Sequence, residues 1–260
     1  MKRAYEVLRD DVKATADDAA GTWADRLYAW VEYVASRVRV GLVDVPTEAD
    51  AFLIFETLND RGADLTIADL LKNYLFRRAE NRLDVVRNAW VTALANLDIS
   101  AAGSQLFTEF LRHYWSSKYG ATRERELYAR IKEKISTSSN AVDFAAELQT
   151  SSRLYAAILH GDHEFWSEHS TAVKTNVGVL GTLNLEQNRP LLLAVMQHFT
   201  PQELAATLRG LVSWSVRSLV VGGIGGGTTE RIYCDAAMKV RSGAVKTAPQ
   251  VAAERQHHPQ

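Results

Sequence analysis

Residues 51–76, AFLIFETLNDRGADLTIADLLKNYLF, decide how the chain is read. Phe52, Ile54, Phe55 and Leu58 recur at helical spacing, and Ile67, Leu70, Leu71, Tyr74 and Leu75 do the same beyond a polar elbow. Each half carries its own start signal. Thr47 is followed three residues later by Asp50, and Thr66 by Asp69, so that a hydroxyl accepts from a first-turn amide while a carboxylate faces the positive helix end. Gly62, the residue best able to end a helix in the left-handed conformation, leaves Asn59, Asp60 and Arg61 beside the start of the next helix. The expected motif is helix, elbow, helix.

Outward from this stretch the pattern stays helical. Helices are expected over Met1–Ala16, Thr22–Ser36, Leu83–Leu97, Ser104–Tyr119, Arg123–Ile135, Ala141–His160, a short segment near Glu164, Leu191–Phe199, Pro201–Val221 and Thr229–Val240. One segment differs. From Arg37 to Val45 the apolar residues Val38, Val40 and Leu42 alternate with Arg37, Arg39 and Gly41, the period of a strand closed by Pro46. A lone strand cannot fill its ladder hydrogen bonds, and no second strand pattern occurs. Its partners are therefore expected outside this sequence. The fold class is all-α, an irregular multi-helix bundle of about nine or ten helices with one short N-terminal β-strand. The expected divisions are 1–80, which ends with the helix–elbow–helix motif, a helical domain over 81–241, and a disordered tail over 242–260, where the apolar face fades.

The motif and two later stretches resemble a known family. IFETLNDRGADLTIADLLKNYLF is similar to the Phe-x-x-x-Asn-x-x-Gly-x-x-Leu-x-x-x-Asp/Glu-Leu segment of GmrSD-like restriction proteins, with Phe55, Asn59, Gly62, Leu65, Asp69 and Leu70 at the matching positions. FLRHYWSSKYG (110–120) and RSLVVGGIGGGTTERIY (217–233) continue the resemblance. It implies a helical region that stands between a ParB/sulfiredoxin-like nucleotide-hydrolysing domain and an HNH-type nuclease domain. NTP and Mg²⁺ are implied for the complete family protein, and none for this chain alone. The family's Asp-Gly-Gln-Gln-Arg and His-x-x-Pro elements do not occur in this sequence. The expectation is thus a truncated or split chain of a modification-dependent DNA restriction protein acting in phage defence, without catalytic activity alone. Its partners would be DNA and a separately encoded ParB-like or HNH-type domain. The alternative is a non-enzymatic helical scaffold or regulatory subunit that docks a catalytic partner through the strand and the elbow.

Bulk composition is compatible with both readings. The 260 residues carry 30 Lys and Arg against 31 Asp and Glu, so no net positive field announces a nucleic-acid partner. A single cysteine, Cys234, leaves no intrachain disulfide and suits a reducing cytoplasm. The N-terminus has no secretory apolar segment, and Arg217 interrupts the most apolar region, so neither export nor a membrane is expected.

Five groups of residues are candidates for chemistry. At the elbow, Phe55, Asn59, Arg61, Gly62 and Asp69 form a corner able to face a nucleotide or a partner, since a guanidinium fork and unpaired helix amides both suit phosphate. The competing reading has Asn59 and Asp69 as caps and Arg61 solvated. Lys118, Arg123, Arg125, Arg130, Lys132 and Lys134, interleaved with Tyr119 and Tyr128, are candidates for DNA-backbone contacts. Glu124, Glu126 and Glu133 dilute that charge, as an ordinary solvated face would. A weaker basic group is Arg77, Arg78, Arg82 and Arg87. The glycines from Gly222 to Gly227 have Walker A spacing, but Thr228 replaces the phosphate-binding lysine, and a break between helices is expected instead. His160, His163 and His169 lack a completing ligand set and read as surface residues, so no metal site is assigned. Trp90, Phe107, Phe110, Tyr114, Trp115, Tyr155 and Trp214 fall among leucines at helical spacing and are expected in the core.

Overall fold

The computed structural model describes residues 6, 7, 9, 10, 12–14, 23–39, 66–97, 105–221 and 226–256. These residues are helical or connecting, with no strand among them, and they form eleven α-helices together with three short 3-10 turns, while residues 6, 7, 9, 10 and 12–14 are also helical. The chain divides into two compact units, Met1–Ala51 and Phe52–Gln260.

In the first unit, helix α1 covers Trp23–Arg37. Trp30, Val31 and Val34 share one face at helical spacing, and they stand 64%, 66% and 50% exposed, beside the equally open Tyr28 and Tyr33. Arg37, with which the strand alternation begins, is the last residue of this helix, and the Val38 amide donates to the Val34 carbonyl at 3.2 Å. Residues 40–45 of the expected strand lie outside the described residues, as do Phe55, Asn59, Arg61 and Gly62 of the elbow.

The second unit begins, among described residues, with α2 (Ile67–Ala79). Its start is the capping box that Thr66 and Asp69 predict. The Thr66 hydroxyl accepts from the Asp69 amide and the Asp69 carboxylate from the Thr66 amide, both at 3.3 Å. Then come α3 (Leu83–Asn96), α4 (Gln105–Tyr119), α5 (Glu124–Lys134) and α6 (Ser138–Leu159). Their facing sides make one core, built on aromatic rings in edge and tilted contact: Trp90 meets Phe107 at 4.8 Å and Phe110 meets Tyr155 at 5.3 Å between ring centroids. A second core gathers Trp166, Val177, Leu192, Leu208 and Val240 from α7 (Thr171–Leu183), α8 (Arg189–His198), α9 (Pro201–Val221), α10 (Gly226–Arg241) and the intervening turns. Helix α6 belongs to both cores, since Ala156 is buried in the first and Ala157 in the second. Of the aromatic residues expected in the core, six are buried. Trp214 is only partly covered, with the Arg255 guanidinium 5.4 Å from its ring.

Two helices go beyond the sequence expectation. Over Thr171–Leu183, Gly178, Gly181 and several β-branched residues lower the helix propensity. Tertiary burial overrides it: Val173, Val177 and Leu180 line one face, Ser170 caps the start by accepting from the Val173 amide, and Asn184 closes the end in the left-handed conformation at φ 45°. The second is α11, Ala248–Gln256, in the stretch expected to be a disordered tail. Gly243, at φ 74°, ends α10 in a Schellman turn, with the Ala244 amide on the Lys239 carbonyl at 2.9 Å and the Gly243 amide on the Val240 carbonyl at 3.0 Å. That reversal drives Val245 and Val251 into the second core. Two buried valines six residues apart make no visible periodicity, so sequence pattern missed the docking. No helix among the described residues is long and apolar enough to cross a membrane.

Candidate functional site

Helix α4 presents Glu109, Arg112 and His113, spaced three and four residues apart and therefore on one side. This side faces a run of polar groups drawn from four other elements. His113 is fully buried, and its Nδ1 lies 2.8 Å from the Tyr155 hydroxyl of α6 while its Nε2 lies 2.8 Å from Arg112 Nη2. Arginine can only donate, so Nε2 must accept and the ring proton must sit on Nδ1, where it donates to Tyr155. From α8, Arg189 donates to the same hydroxyl at 3.2 Å and to the Asn184 side-chain oxygen at 3.2 Å. Glu186 and Glu109 approach Arg189 at 3.5 and 3.7 Å. At the other end Arg112 closes an ion pair with Glu230 of α10.

Burial and charge together set the protonation states. Burial, reinforced by the Arg112 and Arg189 guanidiniums, holds His113 well below the usual histidine range, so the ring is neutral. Burial pushes the Tyr155 phenol up to about 12, with Arg189 opposing. Glu109 is raised, first by burial and then by Glu186. Cys234 is buried and pushed up to about 12, by burial first and Glu230 second, which makes it a poor nucleophile. With no exposed surface, His113 and Tyr155 cannot touch a solute directly. Their chemistry is to fix α4, α6, α8 and α10 in one arrangement.

Arg189 also borders an open cleft. Trp166, Val177, Leu180, Leu192 and Met196 give it apolar walls, while Asn184, Asn188 and Arg189 form its polar side. The side-chain nitrogen of Asn188 is buried there without a hydrogen-bond partner.

The sequence candidates occupy other parts of the second unit. Asp69 is committed to the α2 cap and to Lys72 at 3.4 Å. Lys118 on α4 binds Glu147 at 2.5 Å, and that carboxylate also accepts from Tyr114. Lys118 and Lys134 approach the Tyr119 ring to 5.5 Å each, and Lys132 lies 6.0 Å from the Tyr128 ring. Arg130 pairs with Glu126 at 3.1 Å, whereas the Arg123 and Arg125 side chains are exposed at the start of α5. Tyr74 connects the two basic groups. Its ring meets Tyr128 at 6.2 Å, its hydroxyl donates to the Ile135 carbonyl at 2.6 Å, and Arg78 Nε donates to that hydroxyl at 3.3 Å. Arg87 pairs with Asp84 at 3.5 Å, and Arg82 donates to Ser138 at 3.5 Å.

The histidines expected at the surface are put to local use. His163 accepts from the Phe165 amide at 3.1 Å, and His169 stacks on Phe165 at 5.3 Å. Among the described residues no group of three His, Cys, Asp or Glu is placed to hold a metal ion. Residues 222–225 of the glycine run lie outside the described residues, and Gly226 and Gly227 open α10.

Sequence reading missed the buried polar chain. A signal was present in FTEFLRHYW, where Glu109, Arg112 and His113 interrupt a helix whose aromatic residues already fill most of its surface. Polar residues on a helix with so little free face must find partners inside. Arg189 and Glu230 gave no such local sign, because their partners are distant in sequence. No protein-family model matches this chain, and no curated protein matches its sequence.

Proposed function

We propose that this chain is the helical region of a GmrSD-like, modification-dependent DNA restriction protein, and that it positions DNA for catalytic domains carried elsewhere. Arg112 and Glu230 carry this reading. They belong to FLRHYWSSKYG and RSLVVGGIGGGTTERIY, the two downstream stretches that resemble the family, and they pair across 118 residues of sequence. A resemblance scattered along the chain thereby becomes one polar junction. The DNA-facing surface in this reading is α5 with the end of α2. Arg78 lies beside Tyr74, and Lys134 near Tyr119. Cations held against rings keep the charge that a carboxylate partner would cancel, and phosphates require that charge.

Restriction in this reading requires a partner that supplies nucleotide hydrolysis and cleavage. The exposed Trp30, Val31 and Tyr33 on α1 favour a second reading, a non-enzymatic scaffold that docks such a partner without touching DNA.

Fluorescence anisotropy with a labelled duplex, plain and base-modified, tests the proposal. Binding should weaken steeply with salt, and a triple Arg125→Glu, Lys132→Glu, Lys134→Glu variant should lose at least tenfold in affinity. Each lost phosphate contact should also reduce the salt slope by about 0.9. A chain with no salt-dependent duplex binding sinks the DNA reading and leaves the scaffold.

A further inference from the structure

Helix α11 is held by a different kind of contact from its neighbours. In α8, the residues from Leu191 to Met196 are all buried. Among the described side chains of α11 only Val251 is buried, joined by Val245 in the turn before it. A nine-residue helix with so small an apolar anchor does not persist alone, and charged side chains carry the remaining docking. At its start the Glu203 carboxylate of α9 accepts from the Ala248 amide at 2.6 Å, which sets a negative charge at the positive helix end. Lys239 of α10 pairs with Glu254 at 2.5 Å, and that lysine is half exposed. Near the far end Arg255 donates to Ser218 at 2.8 Å and lies 5.4 Å from the Trp214 ring. Salt screens charge contacts near a surface, whereas it leaves apolar burial in force. The connection to α10 supplies a hinge, because Gly243 turns at φ 74°, a conformation that a side chain with a Cβ disfavours.

We propose that α11 is a strap that opens as ionic strength rises, hinged at Gly243, and that its opening uncovers the face of α9 and α10 around Trp214 and Tyr233. Arg255 is the residue that links the strap to both rings. It lies over Trp214, and its charge opposes the rise that burial gives the Tyr233 phenol. Segments that open locally are those with few buried apolar contacts, and α11 meets that description while α8 does not. The Arg112–Glu230 pair shares no residue with the tethers of α11, so opening leaves that junction in place. The strap is independent of any DNA-binding role, because no residue of α2 or α5 takes part in it.

The test is hydrogen exchange of the full chain, read by mass spectrometry at about 20 mM and about 0.5 M sodium chloride, between which the screening length falls from about 20 Å to about 4 Å. Exchange over α11 should rise at least fivefold with salt, while exchange over α8 stays within twofold. Nile red, a neutral apolar dye, should bind in step with the opening. A double variant, Glu203→Gln with Lys239→Met, removes two of the tethering charges. At low salt its α11 should exchange at least fivefold faster than in the native chain, and added salt should raise that rate by no more than twofold. Gly243→Ala should also speed exchange of α11 at low salt, yet keep the native response to salt because it removes no charge. Equal acceleration of α8 and α11 would mean that salt loosens the whole unit, and it would overturn the strap, as would an α11 that ignores salt. A double variant as salt-sensitive as the native chain would overturn the ionic tethers, a Gly243→Ala chain with unchanged exchange the hinge, and opening without added dye binding the uncovered face. The native-chain arms need no variant, so a misfolded variant leaves them in force.

Discussion

Arg112 of α4 and Glu230 of α10 form an ion pair that is four-fifths covered on the arginine side and three-quarters on the glutamate side, at 19% and 24% side-chain exposure. Both therefore gave up much of their hydration to meet. Removing one partner leaves the other poorly solvated, so the cost of removing both is less than the sum of the two single losses. Arg112→Ala or Glu230→Gln should each lower stability by about 2 kcal/mol, and the double variant should cost less than the sum by about 1 kcal/mol. Urea denaturation of the four proteins measures this directly, and simple additivity would rule out an energetic coupling.

His113 should make stability depend on pH. Its folded-state pKa lies below the unfolded value of about 6.5. Between those two values the unfolded chain takes up a proton that the folded chain refuses. The stabilising contribution is therefore complete above about pH 6.5 and declines as pH falls toward the folded pKa, with a limiting slope of about 1.4 kcal/mol per pH unit. His113→Gln can still accept from Arg112 and donate to Tyr155, but it does not titrate. Denaturation midpoints of the two proteins between pH 5 and 7.5 should show a steeper fall for the native chain. Glu109, whose folded pKa is raised, contributes with the opposite sign and is present in both proteins, so it drops out of the difference.

The capping box at Thr66 and Asp69 predicts a local effect. Thr66→Ala removes the acceptor for the Asp69 amide and should cost about 1 kcal/mol, while Thr66→Ser should cost much less. Hydrogen exchange of the first-turn amides of α2 distinguishes the two variants. Equal protection in both would show that the hydroxyl does not hold this helix end.

Docking of the last helix is tested at Val251, which is 2% exposed in the second core. Val251→Asp would bury an unpaired carboxylate or detach α11, and should lower stability by about 3 kcal/mol or more. Limited proteolysis should then release the segment after Ser242. A variant as resistant as the native chain would show that residues 242–256 do not pack as described.

Sequence pattern was most informative where burial and helical spacing coincide. Trp90, Phe107, Phe110 and Trp115 declare their core role through leucine-rich spacing, and Thr66 with Asp69 declares a helix start through local chemistry. Both signals are contained within a few residues. Helix α7 was hidden because Gly178 and Gly181 weaken its propensity, and α11 because its buried valines, Val245 and Val251, make no periodic pattern and its polar partners Glu203, Ser218 and Lys239 lie on other helices. The polar chain through His113 was hidden for another reason: Tyr155 reads as a core aromatic until Arg189 arrives beside it, 34 residues later in sequence. Long-range pairing of that kind leaves no periodic trace.

Helix α6 runs 22 residues, about 33 Å at the usual rise, and contributes to both cores without a break. A hinge between the two cores would have to bend this rod or pull it from one of them. The second unit should consequently behave mechanically as one rigid lever, melting in a single step and carrying any push on its α5 end through to the cleft beside Asn188.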